Sequence, residues 1–244
     1  MSTIQFTIDQ GNTRTKLAIF EDRNLLEQCT FGDKDQEERV LEKIKSSKAS
    51  KGIFSSVRDN QSDFIIRLNE NFVVLIESPE LDMPFQMNYE TPETLGSDRK
   101  ANAAAFMAEF GLKNGLIVDC GTCITYSLLL EGALSGGAIS PGIAMRYRSL
   151  GDYTGRLPTL PPLFELPPYL GKSTSGSLRS GVELAIVGEV EKMIEQYCSH
   201  INDLIVIITG GDMSFFERHL KSPIFARPLY TLTGLNEIFL CNTK

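Results

Sequence analysis

The chain has 244 residues, 42% hydrophobic and 23% charged, enough apolar material to bury a core in one large domain or two modest ones. Its 24 Lys+Arg against 31 Asp+Glu leave a net charge of −7, so it lacks the electrostatic footprint of a non-specific nucleic-acid binder. The longest apolar runs, such as Leu204–Ile208, are too short to span a bilayer, and Met1–Gln5 lacks the basic-then-apolar pattern of an export signal. The expected location is therefore the cytoplasm, with neither membrane nor nucleic acid as a partner.

In chain order, Ile4–Ile8 alternates at period two, and a polar Gly-containing turn leads into a second short apolar run, Lys16–Phe20. Leu25–Phe31 pairs next to it. Gln36–Ser46 carries Val40, Leu41 and Ile44 at helical spacing, Gly52–Ser56 reads as a buried strand, Asp63–Phe72 as a helix and Val73–Ile76 as a strand. The middle repeats this order. After the alanine-rich, helix-favouring Lys100–Phe110 come strands at Gly115–Asp119, Ile124–Leu130 and Ala133–Ser140. Val182–Cys198 places its apolar residues on one helical face, Leu204–Thr209 is a strand, and Ser214–Leu220 a helix. A short strand near Leu229 and a helix over Leu235–Leu240 close the chain. Between these elements, Tyr153–Ser177 holds prolines 158, 161, 162, 167 and 168, which disfavour helix and central strand; its leucines and Phe164 predict an ordered crossing segment.

Cysteine and histidine narrow the chemistry. Five cysteines (29, 120, 123, 198 and 241), an odd number, fit reduced thiols, and the single Cys120-x-x-Cys123 pair has no second pair to complete a zinc site. His200 and His219 stand near no Ser or Cys motif that would make a triad. An enzyme built from this chain works with carboxylates and backbone amides.

The informative feature is an internal echo. Ile8-Asp9-Gln10-Gly11-Asn12-Thr13 and Val118-Asp119-Cys120-Gly121-Thr122-Cys123 are each a strand ending in Asp, a Gly turn, a hydroxyl residue, and then a second strand. Glycine lets backbone N–H groups approach an anion, and a strand-end carboxylate can hold a hydrated cation that bridges phosphates. Each hairpin alone also reads as a plain β-turn; the pair, in matching contexts, points to a polyphosphate gripped from both sides. Lys16 either reaches back toward phosphate oxygens or is a surface lysine. Asp98, opening the alanine-rich helix, is either a first-turn acid favoured by the helix dipole or a base for a substrate hydroxyl, with Arg99 binding a carboxylate or phosphate. Three look-alikes fail. Gly171-Lys172-Ser173 lacks the upstream glycine of a Walker A loop, position 166 being Leu; Cys120–Cys123 sits between strands rather than at a helix N-terminus; and no G-x-G-x-x-G follows a strand.

In this order the motifs resemble the type III pantothenate kinase family of the acetate and sugar kinase, Hsp70 and actin superfamily. The matching segments are Asp9-x-Gly11-Asn12-Thr13-x-x-Lys16, Tyr89-x-x-Pro92-x-x-Leu95-Gly96-x-Asp98-Arg99 and Asp119-x-Gly121-Thr122-x-x-Thr125. They continue through Gly136-Gly137-x-Ile139-x-Pro141-Gly142, Gly171-Lys172-Ser173-Thr174 with Ser180-Gly181, and Thr209-Gly210-Gly211-Asp212.

The resemblance implies an α/β fold of two ribonuclease-H-like halves, residues 1–112 and 113–244, each a mixed sheet flanked by helices, with ATP in the cleft between them. It implies ATP-dependent phosphorylation of pantothenate, the first step toward coenzyme A, with Asp98 as the general base. Asp9, Gln10, Gly11, Asn12, Thr13, Arg14, Thr15, Lys16 and Thr122 fall at ATP-binding positions. Tyr89, Gly96, Ser97, Asp98, Arg99 and Thr174 fall at pantothenate-contacting ones. Asp119 matches a site for a monovalent cation, K⁺ or NH₄⁺, while Mg²⁺ accompanies the nucleotide, and the family is homodimeric. The alternatives are a kinase for another small hydroxylated acid or sugar, and a nucleotide-binding regulatory accessory protein without turnover.

Overall fold

The structure is a computed structural model that describes residues 3–11, 14–32, 36–58 and 62–243. In chain order its elements are β1 (Ile4–Gln10), β2 (Thr15–Glu21), β3 (Asn24–Phe31), α1 (Gln36–Ser47), β4 (Lys51–Ser56), α2 (Ser62–Asn71), β5 (Val73–Ile76), β6 (Gln86–Met87) and α3 (Ser97–Phe110). They continue with β7 (Gly115–Cys120), β8 (Cys123–Leu130), β9 (Ala133–Pro141), α4 (Ile143–Asp152), α5 (Thr174–Arg179) and a π-turn (Ser180–Leu184) running into α6 (Ala185–His200). β10 (Ile205–Thr209), α7 (Met213–His219), β11 (Phe225–Ala226) and α8 (Tyr230–Asn242) complete the chain.

Two compact units result, Met1–Gly111 with Tyr230–Lys244, and Leu112–Leu229. The first holds a sheet in the order β3-β2-β1-β4-β5, where β1 runs antiparallel to β2 and parallel to β4. Within the second unit the order β9-β8-β7-β10-β11 repeats it, with β7 antiparallel to β8 and parallel to β10. The repeated order, three antiparallel strands and then two parallel ones reached through helices, is the ribonuclease-H-like arrangement.

Packing follows the pleat. Phe6 and Ile8 on one face of β1 bury against Val40, Leu41 and Ile44 of α1 and Phe64 and Leu68 of α2. Gln5 and Thr7 point the other way and are equally buried. The cover on that side includes α8, whose Asn236 Oδ1 accepts from Gln5 Nε2 at 2.9 Å. Arg23 grips Glu237 of α8 with two hydrogen bonds, at 2.8 and 2.9 Å, and this carboxylate raises the guanidinium pKa further. In the second unit the core gathers Leu116 and Val118 of β7, Tyr126 of β8, Val182 of the π-turn, Ile186 and Val190 of α6, and Phe215 and Phe216 of α7.

The division departs from the expected halves at the C-terminus, because α8 belongs to the first unit. Its Gly234 lies directly on α3, where a Cβ would stand 1.6 Å from the Ala101 carbonyl oxygen, so only a bare backbone permits the close crossing. The helix is also longer than the expected Leu235–Leu240, and the final short strand lies at Phe225–Ala226 rather than near Leu229. The prolines fall in the irregular stretch between α4 and α5, but Thr174–Ser177, expected within that segment, is helical. No helix among the described residues is long and apolar enough to cross a membrane.

Candidate active site

β1 and β2 are paired through Gln10↔Thr15, and Gly11 N–H donates to the Arg14 carbonyl at 3.0 Å to close the turn between them. Asp9 and Lys16 are cross-strand partners, and the Lys16 ammonium lies 3.8 Å from the Asp9 carboxylate, with side chains 32% and 16% exposed. Lys16 is thus neither free at the surface nor committed to a distant group. Burial pushes the Asp9 pKa up, Lys16 partly offsets this, and the charge of Asp98 adds to the rise. Gln10 and Thr15 are buried and Arg14 is exposed, while Asn12 and Thr13 lie outside the described residues. The turn is braced from β4. Val57 N–H donates to the Gln10 carbonyl at 3.2 Å, Ser56 Oγ to Gln10 Oε1 at 3.3 Å, and Arg58 Nε to the Gly11 carbonyl at 2.7 Å.

Asp98 sits in the first turn of α3, in the same unit as the first hairpin, and its charge is among the influences that raise the Asp9 pKa. Gly96 is the N-cap and offers no side chain. The carboxylate of Asp98 instead folds back on its own turn, Oδ1 accepting from Arg99 N–H at 2.8 Å, and a Cβ on Gly96 would stand 2.5 Å from that oxygen. Arg99 is buried, with its guanidinium 5.4 Å from the Tyr89 ring centroid and Nη1 donating to Tyr89 Oη at 3.5 Å. Lys100 is buried too, unusual for a cation in the first turn of a helix, and pairs with Glu77 at 3.1 Å. This pair pins the start of α3 to the end of β5. Tyr89, Gly96, Ser97, Asp98 and Arg99 are therefore gathered in the first unit.

In the second unit, β7 and β8 pair through Asp119↔Thr125 and Cys120↔Ile124, and Gly121 N–H donates to the Cys123 carbonyl at 2.9 Å. Gly142 N–H donates to the carbonyl of exposed Thr122 at 3.0 Å, and Asp212 N–H to that of Cys120 at 2.9 Å. Gly210 has φ +97°, and a Cβ there would meet the Cys120 carbonyl oxygen at 2.3 Å and Asp119 Oδ1 at 2.5 Å. The cradle over Gly210 thus presents hard oxygen donors, the class that alkali and alkaline-earth cations prefer. Among the described residues no group of three His, Cys, Asp or Glu forms a metal cluster.

Burial, with Asp119 and Asp212 nearby, pushes the Cys120 thiol well up, the reverse of what a redox pair needs. Gly171-Lys172-Ser173 opens α5, where Ser173 Oγ caps Gly176 N–H at 3.0 Å. A Cβ on Gly171 would stand 2.3 Å from Ser177 N, so this glycine serves packing. Thr174, the first residue of α5, lies in the second unit and is exposed, beside a cavity of about 520 Å³ lined also by Leu150, Leu157 and Leu178. Arg58 and Lys100 stand outside the residues singled out from sequence. Arg58 follows a strand whose parallel pairing with β1 no local pattern reveals.

A family model described as type III pantothenate kinase matches residues 5–196. The chain is 39% identical over 236 residues to a type III pantothenate kinase of Flavobacterium johnsoniae, covering 96% of each chain. It is 40% identical to one of Christiangramia forsetii, covering 98% of this chain and 99% of that one. Among solved structures, a Campylobacter jejuni protein described as a Baf family transcriptional activator superposes with a TM-score of 0.62 at 21% identity, over 96% of this chain and 97% of that one. The ROK hexokinase of Thermus thermophilus gives 0.51 at 14% identity, over 98% and 99%. Both structural likenesses bear on the fold alone, which is that of the actin-like and sugar-kinase ATPases.

Proposed function

The chain belongs to the type III pantothenate kinase family, and from that premise we propose how its residues phosphorylate pantothenate with ATP to give 4′-phosphopantothenate, the first step of coenzyme A biosynthesis. The observation that carries the reading is the start of α3, where Asp98 precedes a buried Arg99 held against Tyr89, in the same compact unit as the glycine turn that bears Lys16. A kinase needs a base for the acceptor hydroxyl beside the groups that hold the donor phosphates.

Asp98 takes the proton of the primary hydroxyl as its oxygen forms a bond to the γ-phosphorus, and the bond from that phosphorus to the β-γ bridging oxygen breaks to release ADP. The hydrogen bond from Arg99 N–H fixes one oxygen of the carboxylate and leaves the other for the proton. Gly96, Ser97 and Tyr89 line the acceptor, and Arg99, oriented by Tyr89, binds its carboxylate. Thr174 contributes from α5. Residues 9–16 and Thr122 bind ATP through backbone amides and Lys16. Mg²⁺ travelling with the nucleotide and a monovalent cation, K⁺ or NH₄⁺, supply charge neutralisation when bound. Asp119, with the carbonyl oxygens around Gly210, would hold the monovalent one. The active species is a homodimer in the cytoplasm.

The test is ADP formation from Mg-ATP with and without pantothenate, in potassium buffer, for wild type and Asp98→Asn. Pantothenate-dependent turnover that drops by ~10²–10⁴-fold in a folded Asp98→Asn is expected. Turnover indifferent to pantothenate would redirect the assignment to another hydroxylated acid or sugar. ATP binding without any turnover would favour a regulatory accessory role.

A further inference from the structure

We propose that Arg58 is a phosphate-binding residue of the nucleotide site, a cation in addition to Lys16 on the first glycine turn; the inference rests on that turn holding ATP. Arg58 lies two residues past β4, at the carboxyl end of the parallel β1/β4 pair, where Gln10 and Ser56 are register partners. Ligands of open α/β sheets bind outside the carboxyl ends of such strands.

The guanidinium carries five N–H donors in a fixed fork, and one of them, on Nε, is committed to the Gly11 carbonyl at 2.7 Å. That bond seats the group against the turn and leaves its two terminal nitrogens for an anion. Among the described residues no carboxylate pairs with Arg58, whereas Lys16 is shared with Asp9 and Lys100 with Glu77. Charge balance points the same way. Asp9 stands at this turn already paired with Lys16, and a polyphosphate brought beside that carboxylate requires more than one shared ammonium. An arginine fork matches phosphate oxygens bidentately, which a lysine cannot do.

The bland reading makes Arg58 a clamp that only shapes the turn, and the two readings separate by ligand. Titration calorimetry compares Mg-ATP with adenosine for wild type, Arg58→Ala and Arg58→Lys, with melting temperatures taken alongside. The expected result is an Arg58→Ala affinity for Mg-ATP weaker by about 10- to 100-fold, the size of a lost charge-assisted contact. Adenosine affinity stays unchanged, and Arg58→Lys recovers part of the loss. Equal losses for both ligands, or unchanged ATP affinity in a folded variant, overturn the inference. Wild type that binds no ATP overturns the nucleotide-site reading itself.

Discussion

The turn after β1 and the turn after β7 occupy the same place in the same strand order, yet different chemistry holds each. The first is braced mainly by side chains, with Ser56, Arg58 and the Asp9–Lys16 pair around it beside one backbone bond from Val57. The second is braced by backbone. Gly142 and Gly210 press against the carbonyls of Gly121, Thr122 and Cys120, and the N–H of Asp212 completes the support. The first turn thus presents side-chain cations, and the second presents carbonyl oxygens and closely packed backbone. One strand order carries a turn set by charge and a turn set by close packing. Sensitivity to mutation divides in the same way, by charge at the first turn and by volume at the second.

Gly210→Ala breaks the comparison hardest. The added methyl would meet a carbonyl oxygen at 2.3 Å on a residue with φ +97°, so steric and backbone strain add together. A loss of about 3 kcal/mol or more is expected in urea unfolding. Gly142→Ala belongs to the same class, since its Cβ would stand 2.1 Å from the Gly121 carbonyl oxygen. A Gly210→Ala protein as stable as wild type would show that the second turn is not held by backbone contact.

The repeated strand order was legible because each strand carries its own apolar run and each turn its own glycine. What escaped was long-range. Gln5 and Thr7 alternate with Phe6 and Ile8 as a solvent face would, but α8 covers them from the far end of the chain, and Asn236 supplies the partner for Gln5. The early part of α8 contains Thr231, Thr233 and Gly234, poor helix formers that packing against α3 overrides. α4 was missed because Gly142 caps it without a side-chain signal. The glycine turns, Asp98 and Arg99 were visible as motifs. Arg58 was not, because its place is set by the pairing of β4 with β1 and not by its neighbours in the chain.

The glycines inside the turns sharpen the contrast. A Cβ on Gly11 would meet the Arg14 carbonyl oxygen at 3.4 Å, and one on Gly121 the Cys123 carbonyl oxygen at 3.8 Å, ordinary contacts the protein tolerates. Sterics among the described residues therefore leave both positions open to alanine, so a functional loss on adding a methyl there would report the bound nucleotide. Gly11→Ala and Gly121→Ala are expected to fold with stability within about 1 kcal/mol of wild type, the ordinary cost or gain of such a change where φ permits it. Their KM for ATP should rise about tenfold as the phosphates are held off the amides. Steady-state kinetics and urea unfolding on the same preparations decide it. Unchanged KM in both variants would mean that neither turn approaches the nucleotide.

The smallest effect concerns the charge stored at the first turn. Burial and Asp98 hold the Asp9 pKa above its ordinary range, against the partial relief from Lys16. The folded protein therefore keeps a proton on this carboxyl at pH values where the unfolded chain has already lost it. Stability falls as pH rises between the unfolded and folded pKa values, and the full penalty is present above the folded one. Asp9→Asn removes that penalty and leaves Lys16 partly solvated, so the variant should melt higher than wild type at neutral pH. The gain should shrink as pH drops through the carboxylate range and vanish below it, where Asp9 is neutral in both states. ATP affinity should move the other way, because the variant loses a carboxylate that orients Lys16. A melting gain that grows toward acid pH would reverse the sign of the shift and make Asp9 a stabilising partner of Lys16, leaving the first turn without stored charge to release when phosphate binds.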